Sequence, residues 1–295
     1  MERIDFIKVL TNKNIMHEIK DDILVISKEN GNVYLSSLTT MPDGIKFENQ
    51  GNVYLSSLTT MPDGIKFENQ GSVDLSSLTT MPDGIKFENQ GNVYLSSLTT
   101  MPDGIKFENQ GSVDLNSLTT MPDGIKFENQ GNVYLRSLDN QTITYQNKKL
   151  LIRVIDSYTM LIQNSKQKDA FTIYNTLYFK GGDLKDLPKC YIAERDGYFA
   201  HGKTIKQAIS DCNFKYLQNN SDISDIVATI KENQTVTREE YRLITGACGM
   251  GVSQFCKDND ISDEVENLPL DRVLKLTANS YGGEKMRDLF LRSED

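Results

Sequence analysis

A chain of 295 residues has room for two domains, and its 38% apolar and 25% charged composition is that of an ordinary water-facing protein. The formal charge of -9 argues against direct nucleic-acid binding, which needs a basic footprint, and four irregularly spaced cysteines argue against a disulfide framework. No apolar run approaches a membrane span and Met1-Glu2-Arg3-Ile4-Asp5 is too charged to open a signal peptide, so a cytoplasmic setting with no membrane partner is expected.

The first predicted element is a helix, because Ile4, Phe6, Ile7 and Leu10 recur at helical spacing across residues 2–10. Ile23-Leu24-Val25-Ile26 then reads as a short apolar strand. Together, residues 1–30 are expected to cap an open strand edge and block edge-to-edge association.

A repeated unit follows, Gly-Asn-Val-Tyr-Leu-Ser-Ser-Leu-Thr-Thr-Met-Pro-Asp-Gly-Ile-Lys-Phe-Glu-Asn-Gln. It starts at Gly31, restarts at Gly51, Gly71, Gly91 and Gly111, and breaks off after Leu138 in a partial copy opened by Gly131. A fixed period of this length marks stacked supersecondary units. In the copy from Gly51 to Gln70, Val53 and Leu55 alternate with Tyr54 and Ser56, and Ile65 and Phe67 with Lys66 and Glu68. That is the period of a strand with one buried face. Between the strands, Pro62-Asp63-Gly64 is a turn: Pro presets φ, Asp closes an Asx-type bond and Gly accepts positive φ. Gln70-Gly71 supplies a second corner. Residues 31–138 therefore read as a β-solenoid of twenty-residue coils with Val53, Leu55, Leu58, Met61, Ile65 and Phe67 pointing inward. The spacing Leu58-x-x-Met61 also resembles part of a leucine-rich repeat, but Asn69 arrives one residue early for that repeat's usual order.

Stacking turns each position of the unit into a column. Lys46 through Lys126 and Glu48 through Glu128 become flanking columns of opposite charge, and Asn49 through Asn129 an amide ladder. The position after Val varies: Tyr34, Tyr54, Asp74, Tyr94, Asp114 and Tyr134, beside an Asn/Ser alternation just before Val. Alternating Tyr with Asp keeps carboxylates off adjacent rungs. These six residues are either a solvated strand face or an aromatic–acidic docking strip. Twelve acidic residues against six basic ones between Gly31 and Leu138 put most of the negative charge on the solenoid. That charge suits a protein partner with a basic surface, including one that normally holds nucleic acid.

Beyond Leu138, strand-like runs at 142–145, 150–155 and 158–162 are expected to close the stack within residues 139–165. Residues 166–295 read as an α+β domain. Strands at 171–179 and 190–194 lead to an Asp196-Gly197 hairpin turn into Tyr198-Phe199-Ala200. Helices follow at 205–217, 223–231, 238–247, 270–277 and 283–291, with Thr204 as an N-cap and Thr237/Glu240 at capping-box spacing. Little local chemistry stands out. Cys190 or Cys248 with His201 could form a nucleophile–base pair, and Cys190, His201, Cys212, Cys248 and Cys256 a metal site, but no Cys-x-x-Cys anchors zinc. Gly246-Ala247-Cys248-Gly249-Met250-Gly251 is glycine-rich, yet it follows a helix where a dinucleotide fingerprint follows a strand. Gly249 and Gly251 are instead expected to break that helix and permit close packing against the next. Gly282-Gly283-Glu284-Lys285 lacks phosphate-loop spacing and more simply starts the last helix. No catalytic residue, cofactor or metal is expected, and the alternative is a cysteine-dependent or nucleotide-using enzyme housed in the C-terminal domain.

The run Ser37-Leu38-Thr39-Thr40-Met41-Pro42-Asp43-Gly44-Ile45-Lys46-Phe47-Glu48-Asn49 resembles the Leu-Thr-Ser-Leu-Pro-Asp-Gly-type repeats of poorly characterised prophage and mobile-element proteins. The stretch from Tyr191 to Ala208 is similar to the block that often follows such repeats, and also resembles small antitoxin domains with a partial ribonuclease-H-like fold. No catalytic residues carry over from either likeness. The first implies a context, a small phage-encoded binder that disables a host defence complex such as a CRISPR-type or other nuclease.

Overall fold

The computed structural model describes residues 1–262 and 265–291. The chain forms two compact units, one from Met1–Ser165 with Asn175–Cys190, the other from Lys166–Tyr174 with the chain from Tyr191 onward.

In the first unit the repeats form a β-solenoid. One parallel sheet takes Ile23–Ile26, Ile45–Phe47 and the Lys-Phe pairs of later coils; the other takes the six Val-Tyr or Val-Asp pairs from Val33–Tyr34 to Val133–Tyr134. Pairing is in register at the coil period, Val33 with Val53 and Lys46 with Lys66. The predicted inward set Val53, Leu55, Leu58, Met61, Ile65 and Phe67 is buried. Phe47, Phe67, Phe87, Phe107 and Phe127 stack face to face at 5.2–5.5 Å along the core. Glycines at 44, 64, 84, 104 and 124 take φ of 65–75°, as the Pro-Asp-Gly turn requires. A third side of the coil, not anticipated, carries rung-to-rung bonds from Thr79, Thr99 and Thr119 N–H to the preceding Thr carbonyl.

The asparagine column is present and buried, with partners other than those expected. Asn69 Nδ2 donates to the Gly51 and Gly71 carbonyls, both at 3.0 Å, so it ties its own rung to the preceding one through backbone rather than through a neighbouring amide. Asn49, Asn89, Asn109 and Asn129 repeat this. The two carbonyls fix the amide's orientation, since a flipped amide would set oxygen against oxygen. Each Oδ1 of the column is left without a donor among the described residues.

Both ends of the stack are covered. Helix α1 (Arg3–Asn12) buries Phe6 and Leu10 in the solenoid core, while Ile4 is exposed. The strand Ile23–Ile26 pairs in parallel with Ile45–Phe47, and an unpredicted strand, His17–Lys20, adds antiparallel outside it. At the other end, Val133 N–H donates to Phe179 O, Gly181 N–H to Gly131 O and Gly182 N–H to Phe127 O. The Phe179 ring meets Phe127 edge-on and closes the aromatic column. Antiparallel strands Thr142–Tyr145, Lys148–Ile155 and Tyr158–Lys168 follow, as expected in kind.

The second unit holds the Lys189–Arg195/Tyr198–Gly202 hairpin, turned at Asp196-Gly197, with most of its first strand, and α2 (Ile205–Asn220), which packs over it through Ala208 and Cys212. Thr204 caps α2, accepting from Gln207 N–H. Next come α3 (Ile223–Asn233), α4 (Arg238–Thr245), α5 (Gly249–Asp258), α6 (Leu270–Leu276) and α7 (Gly283–Phe290). The Thr237/Glu240 capping box forms. The expected run of α4 to residue 247 is corrected: it stops at Thr245 because Gly246 takes φ 75°. Gly249 and Gly251 do not break a helix but sit in the first turn of α5. A short strand pair, Thr235–Thr237 with Asn267–Pro269, also escaped the sequence reading.

Candidate functional site

Strand register puts the six variable residues in one column, pairing Tyr34 with Tyr54, Tyr54 with Asp74, Asp74 with Tyr94, Tyr94 with Asp114 and Asp114 with Tyr134. All face away from the core. Tyr34 is 58% exposed and Tyr94 39%, and the other four are half-buried.

The residue before Val decides how each of them is held. Asn32, Asn52 and Asn92 donate Nδ2 to the tyrosine hydroxyl two residues on, at 3.0, 2.8 and 2.9 Å, and Asn132 does so more loosely. The Oδ1 of Asn52 accepts from the next rung's Ser72 N–H at 2.7 Å, and Asn32 and Asn92 do likewise. In the other coil type, Ser72 and Ser112 keep this rung-to-rung bond, accepting from Asn92 and Asn132 N–H at 3.0 Å. Their short side chains accompany an acid that bonds its own chain. Asp74 Oδ1 accepts from Ser76 N–H at 3.1 Å and Ser76 Oγ–H at 2.7 Å, and Asp114 Oδ1 accepts from Asn116 N–H. Asn therefore travels with Tyr, and Ser with Asp.

Ring spacing follows from this order. Tyr34 and Tyr54 stack with centroids 5.0 Å apart and planes 2° from parallel. The next rung carries Asp74, so the following ring, Tyr94, lies two rungs away. Between Tyr54 and Tyr94 is a groove of about 410 Å³ with Asp74, Ser76 and Ser96 in its wall.

Charge separates this face from the neighbouring one. Lys46 pairs with Glu48 at 2.8 Å and Glu68 at 2.7 Å, spanning two rungs, and Lys106 pairs with Glu108 and Glu128 in the same way. The hydrogen bond to Glu48, then that to Glu68, raises the Lys46 pKa above its ordinary value. The expected compensation therefore holds in part: Lys46 and Lys106 bridge glutamates, while among the described residues Lys66, Lys86 and Lys126 have no carboxylate within ion-pair distance. Among the described residues, neither Asp74 nor Asp114 has a Lys or Arg within ion-pair distance.

The other sequence candidates are dispersed. Cys190 is buried with Sγ 2.9 Å from Thr176 Oγ1, and burial raises its thiol pKa. Cys212 donates to Tyr198 O, and burial pushes its pKa up to about 11. Cys256 is buried, and only Cys248 is exposed, its Sγ accepting from Gly251 N–H at the start of α5. Among the described residues, no three His, Cys, Asp or Glu side chains gather as a metal would require. No helix among them is long and apolar enough to cross a membrane. Sequence reading missed a largely apolar cavity of about 650 Å³ in the second unit, walled by Val252, Phe255, Leu268, Val273 and Leu276, with Cys248 beside it. Its walls come from α4, α5, α6 and the strand pair 235–237/267–269; α5 and the strand pair were not predicted, and that is why no pattern pointed to it. Comparison of the chain with known protein families, curated proteins and solved structures finds no match.

Proposed function

We propose that this is a non-enzymatic interaction protein whose solenoid docks a basic protein surface along the Tyr/Asp column, with the second unit adding specificity. One observation carries the reading. The Tyr/Asp alternation of the repeat falls in a single outward column whose acids, among the described residues, have no Lys or Arg within ion-pair distance, beside a face where Lys46 and Lys106 each hold two glutamates. Unpaired acids on a rigid face attract a cationic partner and speed its approach, while well-packed aromatics supply the contact area that slows departure. A nuclease surface that ordinarily holds nucleic acid, the target implied by the mobile-element resemblance, is one surface of this chemistry.

The test is capture from host lysate with parent protein and with the Asp74→Asn/Asp114→Asn double variant in parallel. The reading expects a protein retained by the parent, released as salt rises and depleted on the variant, because exposed charges are screened beyond about 10 Å at 0.1 M salt and over shorter distances as salt increases. Identical retention by both, at every salt concentration, would move recognition to the second unit.

A further inference from the structure

We propose that Asp74 and Asp114 floor two cation slots between tyrosine rings, and that the column takes a basic polyproline-II segment lying along the stack with Arg or Lys at positions i and i+3. The inference rests on the docking reading above and makes it specific.

The slots follow from the spacing of the rings. Adjacent-rung tyrosines stack at 5.0 Å, as Tyr34 and Tyr54 do. Replacing the middle ring by Asp74 leaves Tyr54 and Tyr94 about 10 Å apart at a strand spacing of about 4.8 Å per rung. A cation centred there lies about 5 Å from each ring, inside the roughly 6 Å reach of a cation–π contact. The floor of the slot is charged and held in place. Asp74 Oδ1 is occupied by Ser76 N–H and Oγ–H, and Oδ2 has no donor among the described residues. That oxygen is available for a charge-assisted bond from an ammonium or guanidinium. At Asp114 the Oδ1 is held by Asn116 N–H and the rings of Tyr94 and Tyr134 lie on the flanking rungs, with Asn116 and Arg136 at the places that Ser76 and Ser96 take in the first slot. Tyr94 thus forms a wall of both slots, whereas Tyr34 belongs to neither.

The distance between the slots selects the conformation of the ligand. Asp74 and Asp114 are two rungs apart, about 9.6 Å. A β-strand turns residues i and i+3 to opposite faces and sets i and i+2 only about 6.8 Å apart. A polyproline-II helix returns to the same side every third residue, after about 9.3 Å. Of these two extended forms, only polyproline II presents cations on one side at the slot interval.

The experiment uses the full chain and two labelled synthetic peptides of equal composition in fluorescence anisotropy titrations. One repeats Arg-Pro-Pro; the other clusters its arginines at one end. The expected result is about tenfold tighter binding of the spaced peptide. That preference should be lost in Asp74→Asn and in Asp114→Asn, which keep Oδ1 as an acceptor, and Tyr94→Leu should weaken binding more than Tyr34→Leu. Circular dichroism melts check that each variant is folded. Equal binding of both peptides, reduced equally by the Asp variants, would overturn the slots and leave a diffuse acidic docking face. Binding of neither peptide, with salt-sensitive capture through Asp74 and Asp114 intact, would also overturn the slots alone. Loss of that capture as well would overturn both readings.

Discussion

At the scale of single residues, the glycine that opens each coil shows how closely the rungs approach. A Cβ on Gly91 would lie 2.4 Å from Ser72 N and 2.6 Å from Gly71 C, and Gly51, Gly71, Gly111 and Gly131 are as tight against the rung before them. Gly31, which has no preceding coil, would meet nothing within 4 Å. Gly91→Ala should therefore cost about 1–3 kcal/mol in denaturant unfolding, the usual penalty of overpacking a filled interior. Gly31→Ala should change stability by no more than about 0.5 kcal/mol. Equal effects would mean that chain flexibility, not contact between rungs, selects glycine here. The sequence made the columns legible because identical spacing puts identical residues on top of one another. It concealed the bonding within them. That Asn69 reaches the Gly51 carbonyl and that Ser72 accepts from Asn92 N–H depends on the distance between successive coils, and that Asn52 holds Tyr54 depends on two side chains of one strand meeting outside it.

At the scale of elements, the N-terminal cap is built so that its outer edge repels pairing. Its last strand, His17–Lys20, is four mostly polar residues with exposed Glu18 and Lys20 in an ion pair, a common way to blunt an edge. No apolar alternation announces such a strand, which is why the sequence showed Ile23–Ile26 and not its partner. Deleting residues 1–30 would bare Ile45–Phe47 and the core face that Phe6 and Leu10 cover, so the shortened chain should self-associate. Light scattering across a concentration series checks this, and a clean monomer at high concentration would deny the segment its capping role. In the second unit, elements with strong end signals were legible, among them α2 behind Thr204 and α4 behind the Thr237/Glu240 box. Helix α5 was not, because its first turn contains two glycines. Those glycines are placed where little room remains: a Cβ on Gly249 would come 3.3–3.4 Å from Asp211 and the Arg242 guanidinium, which are themselves paired at 2.9 Å.

At the scale of the whole molecule, the stack gains stability from neighbouring rungs, so coil number should set it in steps. Removing Gly71 to Gln90 joins Gln70 to Gly91 and lets Asn52 take the rung-to-rung bond that Asn32 already makes to Asn52. The shortened protein should unfold cooperatively at a lower melting temperature, and an added Asn-Tyr coil should raise it. Thermal melts followed by circular dichroism measure both, and loss of cooperativity in the deletion would reject interchangeable coils. Interchangeable coils have a consequence for inheritance. A gene that gains or loses one whole unit in frame encodes a chain that still folds, so rod length can vary between lineages without passing through unfolded intermediates. The acids cannot be reshuffled as freely. Loss of the unit from Gly91 to Gln110 would bring Asp74 and Asp114 onto adjacent rungs, about 4.8 Å apart, where like charges repel. Selection on such a gene would then act on the order of units more strictly than on their number.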